Sequence, residues 1–326
     1  MTRTGSGFRV QRSPFVRGSA FLVLSFQFSV LSLSAQPTTP AADLKGKFEQ
    51  RVQEISGRVD GVVGYSIVDL TSGERVGRLE SATFPTASAI KLAIVYELFK
   101  QAEEQKIRLT DMVTLDRAQA VGGTGVLVEM GTPTLSIRDY AVLMVTLSDN
   151  TATNVLIDRL GMTHIAARMQ ALGLNGTKLR RHMMDTAAAR RGDENVSTPD
   201  ELARLLEAMH GPLSSPAKAG ADGPAKAGHY LMTDAIELLK KPKENRLRKG
   251  LPEGVQSADK SGELEGVRVD AGIVFAKNRP YVLSVMTTFL KDEAEGERAI
   301  EQISRAAYEY FSRLGAGGAL GRLNGR

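Results

Sequence analysis

Apolar residues recur at helical spacing over residues 43–59, predicting that an amphipathic helix opens the folded part of the chain. Residues 61–69 (GVVGYSIVD) and 75–79 read as strands. The turn Thr71-Ser72-Gly73-Glu74 between them predicts a hairpin. Residues 88–105 predict a helix that is mostly apolar in its first half. Ser136 followed by Asp139 matches a capping box, opening a helix that runs to about Leu147. Residues 151–160 and 163–172 predict two more. Thr198-Pro199-Asp200-Glu201 opens another, with a cap, a proline at the first helical position and an acid three residues on. After a helix at 230–241, strands return at 256–260, 267–275 and 281–288, and a last helix covers 293–312. This order predicts an α/β (α+β) fold. An antiparallel sheet built from both chain ends is flanked by helices, and an all-α subdomain is inserted between its halves.

At 326 residues, 42% hydrophobic and 24% charged, the chain buries a real core. Residues 1–17 are basic, residues 20–30 (AFLVLSFQFSV) are apolar, and residues 31–35 lead into Gln36-Pro37. That is the pattern of a secretory signal peptide, cleaved near Ala35. Ser25, Gln27, Ser29, Ser32 and Ser34 make the run a poor membrane span. The expected division is a signal peptide at 1–35, a Pro/Thr linker at 36–42, one domain at 43–312 and a flexible tail at 313–326. Within the domain, 43–80 and 245–312 form the α/β subdomain. Residues 81–244 form the helical one, with a surface insertion at 214–228 that reads PAKAG twice. Four arginines and no acid in residues 1–35 account for most of the net charge of +5, which argues against a nucleic-acid partner. The chain has no cysteine, excluding disulfides, a thiol nucleophile, thiolate zinc sites and a lipid-anchored lipoprotein. No two of its four histidines stand four apart, so no metal or other cofactor is expected. Export without cysteine points to a bacterial periplasm or exterior, with no stable membrane insertion after cleavage.

Three short motifs carry candidate chemistry. Ser88-Ala89-Ile90-Lys91 puts a hydroxyl at a helix start and a lysine one turn on, among Ile90, Leu92, Ile94 and Val95. Burial there lowers an ammonium pKa and yields a neutral amine able to take the serine proton. The same spacing also describes an ordinary helix N-cap with a solvent-reaching lysine, and it recurs at Ser215–Lys218 and Ser257–Lys260. Ser148-Asp149-Asn150 lies at a break between helices. Lys260-Ser261-Gly262 lies at a strand end, where a cation, a hydroxyl and a glycine suit a carboxylate and a close substrate backbone.

The order and settings of the three match the S-x-x-K, S-D-N and K-T-G set of penicillin-recognising serine enzymes. From about Asp43 to Ser312 the chain resembles the class A β-lactamases and related penicillin-binding proteins. Phe84-Pro85, Thr151-Ala152-Thr153-Asn154 and Ser197-Thr198-Pro199 extend the likeness. The resemblance implies a two-subdomain β-lactamase/transpeptidase-like fold and an acyl-enzyme on Ser88, with Lys91 as proton acceptor. It implies proton relay by Ser148, an electropositive Lys260 and a side-chain amide contact from Asn150. Ser261, Gly262 and Lys260 would hold the substrate carboxylate, and the backbone N–H groups of Ser88 and Glu263 would form the oxyanion hole. The side chain of Glu263 is larger and more acidic than the residue usual there, and is expected to repel anions. The family's deacylating glutamate is absent. Met183 stands at the matching position, Asp185 is the nearest carboxylate and an alternative base, and it serves equally as a structural partner of Arg181. Arg181 matches the arginine that ties down this loop, but Asn195 stands where the acid belongs, leaving Asp193 or Glu194 for that part. The expected substrates are a small-molecule β-lactam or a peptidoglycan-derived peptide, bound by a monomer. The rival readings are a penicillin-binding-type D,D-peptidase and a catalytically silent wall-binding domain.

Overall fold

A computed structural model describes residues 39–211, 224–317 and 321–322, with backbone alone for 224–230. The expected signal peptide at 1–35 and the first PAKAG copy lie outside the described residues.

Helix α1 (Pro40–Gly57) begins at a proline behind the cap of Thr39, whose hydroxyl accepts from the Ala42 N–H at 3.2 Å. The expected linker therefore ends three residues early. The hairpin forms as β1 (Val62–Asp69) and β2 (Arg75–Arg78), followed by the two-residue β3 (Phe84–Pro85). The middle of the chain holds α2 (Lys91–Glu103), the short β4 (Met112–Thr114) and β5 (Thr134–Ser136), α3 (Ile137–Thr146), α4 (Asn150–Leu160) and α5 (Met162–Ala171). Then come α6 (Thr186–Arg190), β6 (Val196–Ser197), α7 (Pro199–His210) and α8 (Pro224–Lys240). The last part contains α9 (Arg246–Lys249), β7 (Ser257–Leu264), β8 (Val267–Val274), β9 (Tyr281–Thr288) and α10 (Glu293–Ala316).

The main sheet runs β2-β1-β9-β8-β7 with every pair antiparallel, so both chain ends build it as expected. Both faces are covered. Phe48 of α1 and Ile303 and Phe311 of α10 pack on Tyr65, Tyr281 and Leu283, with the Tyr281 and Phe311 rings stacked at 4.3 Å. Val68, Ala271, Val282 and Met286 meet Leu92, Leu202, Leu206 and Leu239 of the helical body on the other face. Burying each such side chain contributes roughly 1.5–3 kcal/mol. Successive β9 residues point to opposite cores, the period of two expected of a strand covered on both sides. At Gly64 a methyl group would lie 2.7 Å from the Phe84 ring, so this glycine sets how closely the segment leading to Ser88 lies against the sheet.

Three further expectations need correction. The second PAKAG copy is the first turn of α8, not part of a loop insertion. The final helix passes Ser312 to Ala316, into the expected tail. β7 continues through Ser261, Gly262 and Glu263 to Leu264, so the third motif lies inside an edge strand, held in register by β8.

Candidate active site

Ser88 does not open an α-helix. It lies in a 3₁₀ turn, Ala87–Ile90, and Lys91 is the first residue of α2. Ala87 takes φ +46°, an uncommon conformation for a residue with a side chain, immediately before the serine. No side chain caps α2, so the hydroxyl of Ser88 is not spent as a cap. Lys91 is 0% exposed, which removes the solvent-reaching alternative.

The three motifs converge. The Lys91 Nζ lies 3.0 Å from the Ser88 Oγ, 2.9 Å from the Ser148 Oγ, 2.7 Å from the Ser148 carbonyl and 3.2 Å from the Asn150 Oδ1. Two of these neighbours only accept hydrogen bonds, whereas the hydroxyls also donate. A neutral amine fits the set: its two N–H groups serve the carbonyl and the amide oxygen, and its lone pair faces a hydroxyl proton. Burial holds the Lys91 pKa well below the ordinary lysine value, the positive charge of Lys260 lowers it further, and Asp149 opposes both.

Ser148 has φ +52° at the break between α3 and α4. Sequence reasoning missed the role of Asp149 beside it. Its buried carboxylate accepts from the N–H groups of Val126 (2.7 Å), Leu127 (2.9 Å) and Ala152 (2.8 Å), tying the loop at 121–127 to the site. The Asn150 N–H donates to the Thr124 carbonyl at 3.0 Å and the Thr124 hydroxyl to the Ser148 carbonyl at 2.7 Å. Gly122-Gly123-Thr124-Gly125 was the available signal for this loop.

On the opposite wall, a methyl group on Gly262 would lie 2.5 Å from the Thr86 carbonyl, 2.8 Å from the Ala89 nitrogen and 2.9 Å from the Ser88 nitrogen. Only glycine lets β7 rest on the serine turn. Lys260 is buried, its Nζ donates to the Ser261 carbonyl at 2.8 Å, and burial together with the neighbouring Lys243 lowers its pKa to about 8. The Glu263 carboxylate pairs with Arg246, so its charge is offset instead of standing free to repel anions.

The loop before β6 is held as the sequence allowed. Glu194, not Asp193, takes the ion pair, meeting Arg181 at 2.7 and 3.0 Å. The Asn195 Oδ1 accepts from the N–H groups of Arg180 (2.8 Å) and Arg181 (3.1 Å). Both arms of the Asn154 amide grip the Met183 backbone: the Met183 N–H donates to Oδ1 at 2.8 Å, and Nδ2 donates to its carbonyl at 3.2 Å. Asp185 is exposed and caps α6, accepting from the Ala188 N–H at 2.9 Å. These elements enclose a cavity of about 540 Å³ lined by Ser88, Ser148, Asn150, Lys260, Ser261, Gly262 and Met183 among others, but not by Asp185.

A hydroxyl facing a desolvated amine, with a second hydroxyl and a buried ammonium beside a cleft, is an arrangement able to activate a serine nucleophile. The chain belongs to the β-lactamase enzyme family, whose model matches residues 47–311. It is 26% identical over 302 residues to β-lactamase SME-1 of Serratia marcescens, covering 89% of this chain and 97% of that one. Among solved structures it is similar to a β-lactamase from Sphaerobacter thermophilus (TM-score 0.69, 28% identity, 80% of this chain and 96% of that one). It is also similar to PBP-A (TM-score 0.70, 28% identity, 81% and 96%). The protein is a β-lactamase-like serine hydrolase with the two-subdomain α/β fold of that family. Among the described residues no helix is long and apolar enough to cross a membrane.

Proposed function

We propose that this protein is exported by the leader at 1–35 and, as a monomer, opens β-lactams through an acyl-enzyme on Ser88. Neutral Lys91 takes the Ser88 hydroxyl proton as the Oγ attacks the lactam carbonyl carbon. The resulting oxyanion is held by the N–H groups of Ser88 and Glu263, a pair in which each donor is worth ~3–4 kcal/mol. The C–N bond then breaks, and Ser148 passes a proton to the leaving nitrogen while Lys260 keeps that side positive. Lys260, Ser261 and Gly262 receive the substrate carboxylate, and Asn150 the side-chain amide. The observation that carries this reading is the 3.0 Å contact between Ser88 and a fully buried lysine amine.

Release of the acyl group is the slower half. Met183 lines the cavity where relatives are expected to carry a glutamate, and a thioether cannot accept a water proton. Asp185 is engaged as a helix cap, so its role as base is not favoured. This supports the second reading, a D,D-peptidase that β-lactams trap, more than it supports a silent wall-binding domain. Incubation with a chromogenic cephalosporin, followed by intact-mass measurement, tests the proposal. A burst of about one equivalent, slow turnover and an adduct absent from Ser88→Ala are expected. No adduct with any β-lactam would overturn it. Met183→Glu should shorten the adduct lifetime at least about tenfold, the lower part of what a positioned general base contributes.

A further inference from the structure

Lys243 belongs to none of the three motifs, yet it lines the same cavity as Lys260 and Ser261. It stands in the short segment between α8 and α9, and its side chain is only 5% exposed. Its Nζ donates to the Leu239 carbonyl at the end of α8 and to the Lys241 carbonyl at 3.3 Å. Those bonds fix the ammonium in the cavity wall. The carboxylate facing it is Asp259, 3.8 Å away and itself fully buried. Asp259 is already engaged, accepting from Arg248 at 2.8 Å, from Ser257 at 2.7 Å and from Asn245.

The charges here do not cancel. Three cations, Lys243, Arg248 and Lys260, surround the Asp259 carboxylate. The second buried acid, Asp270, is pushed up to about 7 by burial and by Asp259, and offsets the excess only above that pH. Glu263 is paired with Arg246, and Glu244 is exposed, where water and salt screen its charge. Burial lowers the Lys243 pKa to about 8 with Asp259 opposing it, and the Lys243 charge is felt in turn at Lys260. At neutral pH one end of the cavity therefore carries two buried ammonium groups.

We infer that Lys243 is a positioning residue for the acyl donor: a second buried cation whose field, added to that of Lys260, sets how strongly the site prefers a donor carrying a carboxylate. The inference rests on the acyl-transfer reading above. In that reading Lys260 and Ser261 make the direct contacts. Lys243 acts on the same anion through protein, where a charge is screened far less than in water. The favoured substrate class is thus an acyl donor that delivers an ionised carboxylate to this end of the cavity, and a neutral ester of the same donor is disfavoured.

The test compares acylation of the full chain at neutral pH by benzylpenicillin and by its methyl ester, followed by time-resolved intact mass. The two reagents share the ring system and the side chain and differ only at the ring carboxylate. The parent should prefer the acid at least about a hundredfold, and Lys243→Met should reduce that preference about tenfold, the scale of one unit charge acting through several ångströms of protein. Lys243→Arg, which keeps the charge, should retain it. The ester reports any general loss of packing, because such a loss slows both reagents alike and leaves their ratio unchanged. No preference in the parent, a ratio unchanged in Lys243→Met, or a ratio lost equally in Lys243→Arg overturns the inference while leaving acylation in place. Failure of the parent to form an adduct with either reagent overturns the acyl-transfer reading, and this inference with it.

Discussion

Lys91 is surrounded by two hydroxyls, a carbonyl and an amide oxygen, and no carboxylate among the described residues touches it. That environment favours the amine over the ammonium, as the proposed role of proton acceptor requires. Replacing it with methionine fills the same buried space and removes the base. Lys91→Met should slow adduct formation at least about a hundredfold, within the range measured for general bases, while leaving the thermal midpoint close to that of the parent. In the parent, acylation should fall on the acid side as Lys91 gains a proton. It should fall again above about pH 8 as Lys260, whose pKa is lowered to about 8, loses its charge. A profile flat across pH 8 would remove Lys260 charge from the mechanism. The candidate residues were legible because motif spacing names side chains. Their partners were not: the capping bond of Asp185 and the pairing of Glu263 with Arg246 depend on elements distant in sequence or too short to predict.

β7 shows how an element can be stronger than its sequence. Ser261-Gly262-Glu263 has weak strand propensity, so the spacing predicted a strand ending at Lys260. The full register with β8, from Ser257 opposite Val274 to Leu264 opposite Val267, carries it four residues further. That extension brings Gly262 against the Ser88 turn. Gly262→Ala forces backbone from backbone, since its nearest neighbours are the Thr86 carbonyl and the nitrogens of Ser88 and Ala89. Acylation should drop about a hundredfold, the effect of a roughly 1 Å misplacement of reacting groups, and stopped-flow burst rates would measure it. A normal burst would mean that β7 does not shape the serine turn. Most of the long helices and the strands β1, β2, β8 and β9 were read to within a few residues because their periodicity is sustained, whereas α8 starts six residues before the helix read from the sequence. The two- and three-residue strands β3, β4, β5 and β6 and the short α6 and α9 are too brief to leave a period, and only tertiary pairing creates them.

Across the whole molecule, the sheet is anchored to the site by a buried group of charges. Asp259 accepts from Arg248 at 2.8 Å and Ser257 at 2.7 Å and lies 3.8 Å from Lys243. Asp270 accepts from the Leu247 N–H at 3.0 Å, and its other oxygen has no partner among the described residues. Burial, with Asp259 adding to it, pushes the Asp270 carboxyl up to about 7. Between about pH 4, where an unfolded aspartate titrates, and pH 7, the folded state therefore holds a proton that the unfolded chain has released. The stability this group contributes is present below about pH 4 and falls as pH rises through 7. Asp270→Asn lacks that dependence, so urea midpoints should shift in favour of the variant between pH 5 and pH 8. A constant difference would show that Asp270 titrates normally.

The most direct measurement follows benzylpenicillin added to the full chain, with proteolysis and mass spectrometry to locate the adduct. The account predicts one penicilloyl group per chain, on the peptide containing Ser88, formed rapidly in the parent, far more slowly in Lys91→Met and never in Ser88→Ala. An adduct on any other residue, or one forming as fast without the Lys91 amine, would contradict it.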